Sequence, residues 1–181
     1  MADPPRRVVL VGFMGSGKTT VGDNLARLLG WTLVDMDASI EEEAGISVAE
    51  MFRRRGEAFF RERETDLALA LVDRDRLVVA AGGGAFATPA TRDALRSGAS
   101  TVWLRCDLDT ILSRLPIDGS RPLASSHETI RRLFAEREPS YRLADLTVDA
   151  SGRTPEAVAQ EIADCLFAGR AAVGRGGRPD R

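Results

Sequence analysis

A glycine-rich stretch near the start of the chain combines residue types that bind phosphate. Gly12 is followed by four residues and then by Gly17, Lys18 and Thr19, which is the spacing of a P-loop. In such a loop, successive backbone N–H groups point at phosphate oxygens and the following helix adds its positive dipole end. The lysine can reach the outer phosphates, and the threonine hydroxyl can ligate Mg²⁺. We therefore predict a nucleotide site formed by Gly15, Ser16, Gly17, Lys18, Thr19 and Thr20.

The alternative for this stretch is a glycine-rich turn that contains Lys-Thr by chance. Residues 7–11 before it form an apolar run of strand length, as a buried parallel strand requires. Apolar residues recur at helical spacing after it, at Val21, Leu25, Leu28 and Leu29. A strand, a loop and a helix in this order favour a true phosphate site.

Two carboxylates follow the next apolar stretch. Residues 31–34 predict a short strand that runs into Asp35 and Asp37. Residues two apart on a strand share a face, so both side chains could point into one cleft. The alternative is that one of the two caps a helix that starts near Ala38, with Asp37 as a candidate for that cap.

Three consecutive glycines, Gly82, Gly83 and Gly84, directly follow a third apolar run at residues 77–81. Glycine weakens any regular element, so these positions must require residues without a side chain. A tight turn and a closely approaching ligand are both consistent with the three glycines.

An arginine-rich insertion separates the second and third predicted strands. Ser47 and Glu50 match a capping box, and Gly56 predicts a break between two helical segments. We expect most arginines here to lie on a solvated face, paired with acidic residues one turn away. They are Arg53, Arg54, Arg55, Arg61 and Arg63.

A loop at residues 116–126 has no apolar periodicity and contains Arg121 as its only basic residue. A loop of this length in a compact domain suggests an active-site lid. Ser125 and Glu128 match a capping box for the next helix, which we expect to end by Pro139.

The elements that would position these residues are five apolar runs that alternate with helical patterns. This order predicts an α/β three-layer sandwich, a five-stranded parallel sheet with helices on both faces. The P-loop, the Asp35/Asp37 pair and the triple glycine each follow a strand, so they should meet at the carboxyl edge of the sheet. We predict strands at residues 7–11, 31–34, 77–81, 100–106 and 146–150, and a last helix that buries Val158, Ile162, Cys165 and Leu166.

The composition is that of one globular domain: 181 residues, 44% hydrophobic and 29% charged. We place this domain at residues 1–168 and a flexible tail at 169–181. A net charge of −2 gives no reason to expect nucleic acid or an anionic membrane as a partner. No long apolar segment is present, so we expect a cytoplasmic protein, acting as a monomer, with Cys106 and Cys165 as buried reduced thiols.

Several motifs, taken together, resemble the shikimate kinase family. They are Gly-Phe-Met-Gly-Ser-Gly-Lys-Thr-Thr-Val-Gly at 12–22, Val34-Asp35-Met36-Asp37 followed by Ile40-Glu41, Gly56-Glu57 before Phe60-Arg61 and Glu64, the triple glycine, Arg121-Pro122-Leu123, and Arg137-Glu138-Pro139-Ser140-Tyr141. They occur in order between about Val8 and Phe167. The resemblance implies a P-loop NTPase fold of the nucleoside monophosphate kinase-like type, with a lid and a substrate-binding helical region at about 37–64.

The resemblance also implies an acceptor site for shikimate. Its residues would be Asp37, Arg61, Gly82, Gly83, Gly84 and Arg137. Arginines can hold a carboxylate through paired, charge-assisted hydrogen bonds, while an aspartate and glycine N–H groups can bind hydroxyls. Arg114 is implied to lie near the adenine, although an arginine in the last turn of a helix also simply suits the helix dipole.

The implied reaction moves the γ-phosphoryl group of ATP to the 3-hydroxyl of shikimate. Lys18, and Arg121 when the lid closes, would stabilise the charge that spreads over the phosphoryl oxygens. Asp37 would orient the hydroxyl and could accept its proton. Mg²⁺ would be held by Thr19 and the nucleotide oxygens, with Asp35 acting through a water.

Two other functions compete with this one. Another small-metabolite kinase of the same fold, such as a gluconate kinase, would leave Asp37, Arg61, the triple glycine and Arg137 as coincidences. A nucleotide-binding module without catalysis would have no need for the full set of Lys18, Thr19, Asp37 and Arg121.

Overall fold

A computed structural model describes residues 5–115, 123 and 126–167. The strands are β1 (Arg7–Val11), β2 (Thr32–Asp35), β3 (Leu77–Ala80), β4 (Ser100–Arg105) and β5 (Leu146–Asp149). The helices are α1 (Lys18–Leu29), α2 (Met36–Ala44), α3 (Val48–Ala70), α4 (Pro89–Arg96), α5 (Leu108–Arg114), α6 (His127–Tyr141) and α7 (Pro155–Phe167), with a short 3₁₀ helix at Ala85–Ala87.

The strands form one parallel sheet in the order β2-β3-β1-β4-β5. The central strand β1 pairs with β3 on one side and β4 on the other, so that Val9 lies between Val79 and Thr101. Every residue of β1 and β3 is buried, which explains why both strands are apolar apart from Arg7 at the start of β1. The predicted five-stranded parallel sheet is confirmed.

Side chains alternate between the two faces of β1. Val9 and Val11 join one core cluster, and Val8 and Leu10 join another. The first cluster takes in residues of the helices on its side, including Ala68, Leu95, Ile111 and Ile130. The second takes in Val21 and Leu25 of α1 and Val158 and Ile162 of α7. Helices therefore cover both faces of the sheet, as a three-layer sandwich requires.

The arginine-rich insertion forms α2 and α3. The Ser47 hydroxyl accepts the backbone N–H of Glu50 at 3.2 Å, so the predicted cap of α3 is confirmed. Gly56 interrupts the helix with φ 81° and ψ 169°, a conformation that favours glycine. The predicted break at Gly56 is also confirmed.

Helix α6 differs from the prediction at both ends. Ser126, and not Ser125, is its N-cap, since the Ser126 hydroxyl accepts the backbone N–H three residues on at 3.1 Å. The helix continues through Pro139 to Tyr141, so the end expected before this proline is wrong. A proline removes only one helical donor, and the burial of Arg137 and Tyr141 holds the last turn in place.

The two cysteines have different environments. Cys106 is buried, as predicted, whereas Cys165 is exposed on α7. The expectation that both thiols are buried is therefore wrong. The stripe of α7 that packs on the sheet is formed by Val158, Ala159 and Ile162, and Cys165 lies off that stripe.

Most of the predicted lid lies outside the described residues, including Arg121 and Ser125. The predicted tail at 169–181 lies outside them as well. Within the part of the chain that the structure describes, no helix is both long and apolar enough to cross a membrane.

Candidate active site

The loop between β1 and α1 is tightly folded. Gly17 has φ 90° directly before α1, a conformation that side chains rarely adopt. A Cβ added to Gly12 would lie only 2.8 Å from the carbonyl oxygen of Leu104. The Lys18 ammonium donates to the carbonyl oxygens of Gly12 and Phe13, both at 2.9 Å. The lysine therefore folds back over the loop that precedes it.

A cavity of about 380 Å³ opens over this loop. Its wall contains the six residues predicted to bind the nucleotide, together with Asp35, Asp37 and Arg114. The Ser16 hydroxyl is buried and has no hydrogen-bond partner among the described residues. An unpartnered hydroxyl in a loop at a helix N-terminus suits an anionic oxygen such as that of a phosphate.

Asp35 and Asp37 both line this cavity, but they do not lie on one strand face as expected. Strand β2 ends at Asp35 and α2 begins at Met36, so Asp37 lies in the first turn of a helix. Asp35 is the N-cap and accepts the N–H of Ala38 at 3.2 Å, so the alternative that one of the two carboxylates caps the helix is confirmed, but the cap is Asp35 and not Asp37. The second Asp35 oxygen accepts the Thr19 hydroxyl at 2.6 Å and links the loop to β2.

A second cavity of about 320 Å³ adjoins the first, and the two share Met14, Asp37 and Gly83 in their walls. The other residues that line it are Glu41, Val48, Phe52, Phe60, Arg61, Glu64, Gly84, Leu123 and Arg137. Except for Gly82, every predicted acceptor-site residue belongs to this wall, and a Cβ on Gly82 would lie 2.7 Å from the Asp37 carboxylate. The fold thus brings together residues far apart in sequence.

The triple glycine is explained by the close approach of side chains. None of the three has φ in the left-handed region, so a strained turn is not the reason for them. A Cβ on Gly82 would collide with Glu64, and one on Gly84 would lie 2.6 Å from the Arg61 guanidinium carbon. The chain does form a tight turn here, since the backbone N–H of Ala85 donates to the carbonyl oxygen of Gly82 at 3.0 Å, and the groups that approach closely include side chains of the protein itself.

Two guanidinium groups line the second cavity. Arg61 is 17% exposed; its Nε and Nη2 donate to Glu57 at 3.1 and 2.8 Å, and its Nη1 donates to Glu64. Arg137 is 7% exposed and lies 6.0 Å from the centre of the Phe13 ring. Two largely buried cations in one cavity suit a ligand that carries a carboxylate.

Comparison with known sequences matches the chain to one family. The family model described as shikimate kinase matches residues 14–167. The chain is 45% identical over 166 residues to the shikimate kinase of Moorella thermoacetica, covering 91% of this chain and 96% of that protein. It is 48% identical over 161 residues to the shikimate kinase of Geobacter sulfurreducens, covering 87% and 89%.

The chain belongs to the shikimate kinase family. Among solved structures, it is similar to shikimate kinase from Acinetobacter baumannii in complex with shikimate, with a TM-score of 0.87, 35% identity and coverage of 93% of this chain and 96% of that one. A gluconokinase from Sinorhizobium meliloti is also similar, with a TM-score of 0.55 and 17% identity over 93% of this chain and 99% of that one. The second likeness shows the fold alone.

Glu64 also belongs to the site, although its position in the sequence alone does not reveal this. Its side chain is fully buried in the second cavity against Arg61, three residues earlier on α3. Burial raises the pKa of Glu64 to about 7, although the Arg61 guanidinium opposes that rise. The motifs of the resemblance include Glu64 without giving it a role, and the local signal for one is the i,i+3 spacing from Arg61.

Tyr141 is the second residue that the sequence does not assign to the site. It lies one helical turn after Arg137, is 1% exposed, and donates its hydroxyl to the carbonyl oxygen of Gly83. Only the fold shows that a residue of α6 reaches the glycine turn, which is 58 residues away in sequence.

Arg114 lies where the first cavity and the P-loop meet. Its Nη1 donates to the carbonyl oxygen of Gly15 at 3.3 Å, in addition to its place in the last turn of α5. Arg153 and Pro155, which follow β5, also line this cavity and were not predicted to do so.

Proposed function

We propose that this protein transfers the γ-phosphoryl group of ATP to the 3-hydroxyl of shikimate, giving shikimate 3-phosphate and ADP. The observation that carries the proposal is the wall shared by the two cavities, which contains Asp37. A donor in the first cavity and an acceptor in the second would meet beside this carboxylate. Membership in the shikimate kinase family supports shikimate as the acceptor.

The first cavity holds ATP in this proposal. The backbone N–H groups of the loop and the buried Ser16 hydroxyl bind the phosphates. Lys18 leaves its carbonyl partners to contact the outer phosphates and stabilises the charge that develops there. Arg114 lies at the far end of the loop and contacts the adenine, where a guanidinium can stack on a base.

Thr19 and Asp35 are the residues that would hold Mg²⁺. They provide a hydroxyl and a carboxylate at 2.6 Å from each other on the cavity wall, the oxygen donors that this ion prefers. Among the described residues there is no cluster of three or more acidic, histidine or cysteine ligands, so the nucleotide oxygens and water must complete the shell. Asp35 would act through one of these waters. When bound with ATP, Mg²⁺ neutralises phosphate charge.

The second cavity holds shikimate. Arg61 and Arg137 bind its carboxylate, since a guanidinium offers paired N–H donors to a planar anion. Asp37 and the glycine turn bind its hydroxyls. Asp37 orients the 3-hydroxyl towards the phosphoryl group and accepts its proton as the new bond forms, at the point where the two cavities meet.

The proposal also covers the lid, the domain boundaries, the oligomeric state and the cellular location. Arg121 adds a second cation when the lid at 116–126 closes, and the region at about 37–64 forms the acceptor site within one domain at 1–168. One chain provides both cavities, which supports a monomer as the active form. We place the protein in the cytoplasm.

Product analysis tests the position of phosphorylation. Proton and phosphorus NMR of the product formed from Mg-ATP and shikimate should show phosphorus coupled to the proton on carbon 3. Coupling to the proton on carbon 4 or 5 would contradict the orientation proposed for Asp37.

A further inference from the structure

The Tyr141 side chain connects α6 to the floor of the second cavity. Its hydroxyl donates to the carbonyl oxygen of Gly83, and its ring packs against Trp103 with 6.2 Å between ring centres. The side chain is 1% exposed. Burial raises the pKa of Tyr141 far above its ordinary value, so the hydroxyl stays protonated and remains a donor at neutral pH.

The carbonyl that Tyr141 binds is the central one of the glycine turn. The flanking carbonyl oxygens already accept backbone N–H groups, that of Gly82 from Ala85 at 3.0 Å and that of Gly84 from Ala87 at 3.1 Å. Gly83 instead has a side chain as its partner. A Cβ on Gly83 would lie 3.2 Å from the backbone nitrogen of Met14, so glycine suits this position, and a glycine backbone is otherwise the most free to rotate.

The direction of one carbonyl determines the direction of the next N–H. The carbonyl of Gly83 and the N–H of Gly84 belong to the same planar peptide and point in opposite directions. A hydroxyl that holds the carbonyl towards α6 therefore holds the N–H away from α6. Gly83 and Gly84 both line the second cavity.

We propose that Tyr141 is a positioning residue for the acceptor: its hydroxyl fixes the Gly83–Gly84 peptide so that the Gly84 N–H is presented to a hydroxyl of the acceptor in the second cavity. This inference rests on the proposed function. Tyr141 does not line the second cavity, and it acts on the acceptor through the peptide that it holds. Its hydroxyl also contacts the Arg137 guanidinium, which does line the cavity.

The substitution Tyr141→Phe tests the proposal because it removes the hydroxyl and keeps the ring against Trp103. We expect the KM for shikimate to rise about tenfold, the effect of one lost hydrogen bond, while the KM for ATP changes by less than about twofold. Thr101→Val is the matched control. It also removes one buried hydroxyl, which contacts Asp145 at 2.7 Å, and should lower stability without changing the KM for shikimate.

A stable, active Tyr141→Phe variant with an unchanged KM for shikimate would overturn the inference. So would equal KM increases for Tyr141→Phe and Thr101→Val, since the effect would then reflect stability alone. If wild-type protein forms no ADP with shikimate, the proposed function fails before this comparison is reached.

A second measurement needs no variant. In wild-type protein labelled with ¹⁵N-glycine, the Gly84 amide resonance should shift when shikimate is added, whereas that of Gly98, which follows α4, should not. No change at Gly84 on saturation with shikimate would contradict the proposal even if Tyr141→Phe fails to fold.

Discussion

Glu64 and Arg61 form an ion pair inside the acceptor cavity, in which the carboxylate is fully buried and the guanidinium is 17% exposed. Burial disfavours the charged carboxylate more than Arg61 favours it, and the pKa of Glu64 rises to about 7 from an ordinary 4.5. Near neutral pH this carboxyl group is therefore divided between its neutral and charged forms, beside the residue proposed to bind the acceptor.

The raised pKa of Glu64 predicts how stability depends on pH. Between pH 4.5 and about 7 the folded protein keeps a proton on Glu64 that the unfolded chain releases. The free energy of unfolding that Glu64 contributes is thus greatest at low pH and is lost as pH rises through this window. Urea denaturation of wild-type protein and Glu64→Gln at pH 5.5 and 8 should show that wild type loses more stability.

Glu50→Gln is the control for that comparison because Glu50 lies on the same helix and its pKa is lowered to about 2 by hydrogen bonds from Arg53. It stays charged in both folded and unfolded chains over most of this pH range. Its replacement should leave the difference between pH 5.5 and 8 unchanged. Equal pH dependence in wild type and Glu64→Gln would mean that Glu64 does not titrate near neutral pH.

Asp37→Asn should separate catalysis from nucleotide binding. The amide keeps the size of the side chain but cannot accept a proton, so turnover should fall by about 10²- to 10⁴-fold. ATP affinity, measured by calorimetry, should change little because the phosphates are held by the P-loop. Asp164→Asn, at an exposed position on α7, is the control. Unchanged turnover in Asp37→Asn would remove this residue from the reaction.

Arg61→Lys should weaken acceptor binding selectively. Lysine keeps the charge but loses the planar fork, so we expect the KM for shikimate to rise by about tenfold or more with little change for ATP. Arg54→Lys is the matched control, since Arg54 lies on the same helix, is 57% exposed and pairs with Glu50. Steady-state kinetics with each substrate varied would show the effect, and an unaltered KM for shikimate in Arg61→Lys would contradict the carboxylate-binding role.

Thr19→Val and Asp35→Asn should both raise the Mg²⁺ concentration needed for half-maximal activity, by about tenfold. Asparagine is also a good N-cap, so Asp35→Asn should leave the start of α2 intact. Thr147→Val, at an exposed position on β5, is the control. Identical Mg²⁺ titrations of wild type and both site variants would exclude these residues as the metal site.

The sheet and the P-loop could be predicted because their signals are local. Buried parallel strands are continuous apolar runs, and the cap at Ser47 and the break at Gly56 depend on residues close in sequence. The end of α6 could not be predicted in this way, since the tertiary burial of Arg137 and Tyr141 outweighs the local effect of Pro139.

The acceptor site depends on contacts that no local pattern contains. Glu64 is one of many acids in an arginine-rich helix, and only its place under the glycine turn distinguishes it from Glu50, which is 24% exposed. Asp35 and Asp37 were expected to share a strand face, yet the chain turns into α2 between them. Tyr141 reaches Gly83 across the fold.

The most direct test of the central claim is ADP formation from Mg-ATP by the purified protein with shikimate, quinate or gluconate as acceptor. The account predicts ADP formation that depends on shikimate and exceeds that with quinate or gluconate at equal concentration. No ADP formation above background with shikimate would contradict it, and faster turnover of gluconate would assign the second cavity to a different acceptor.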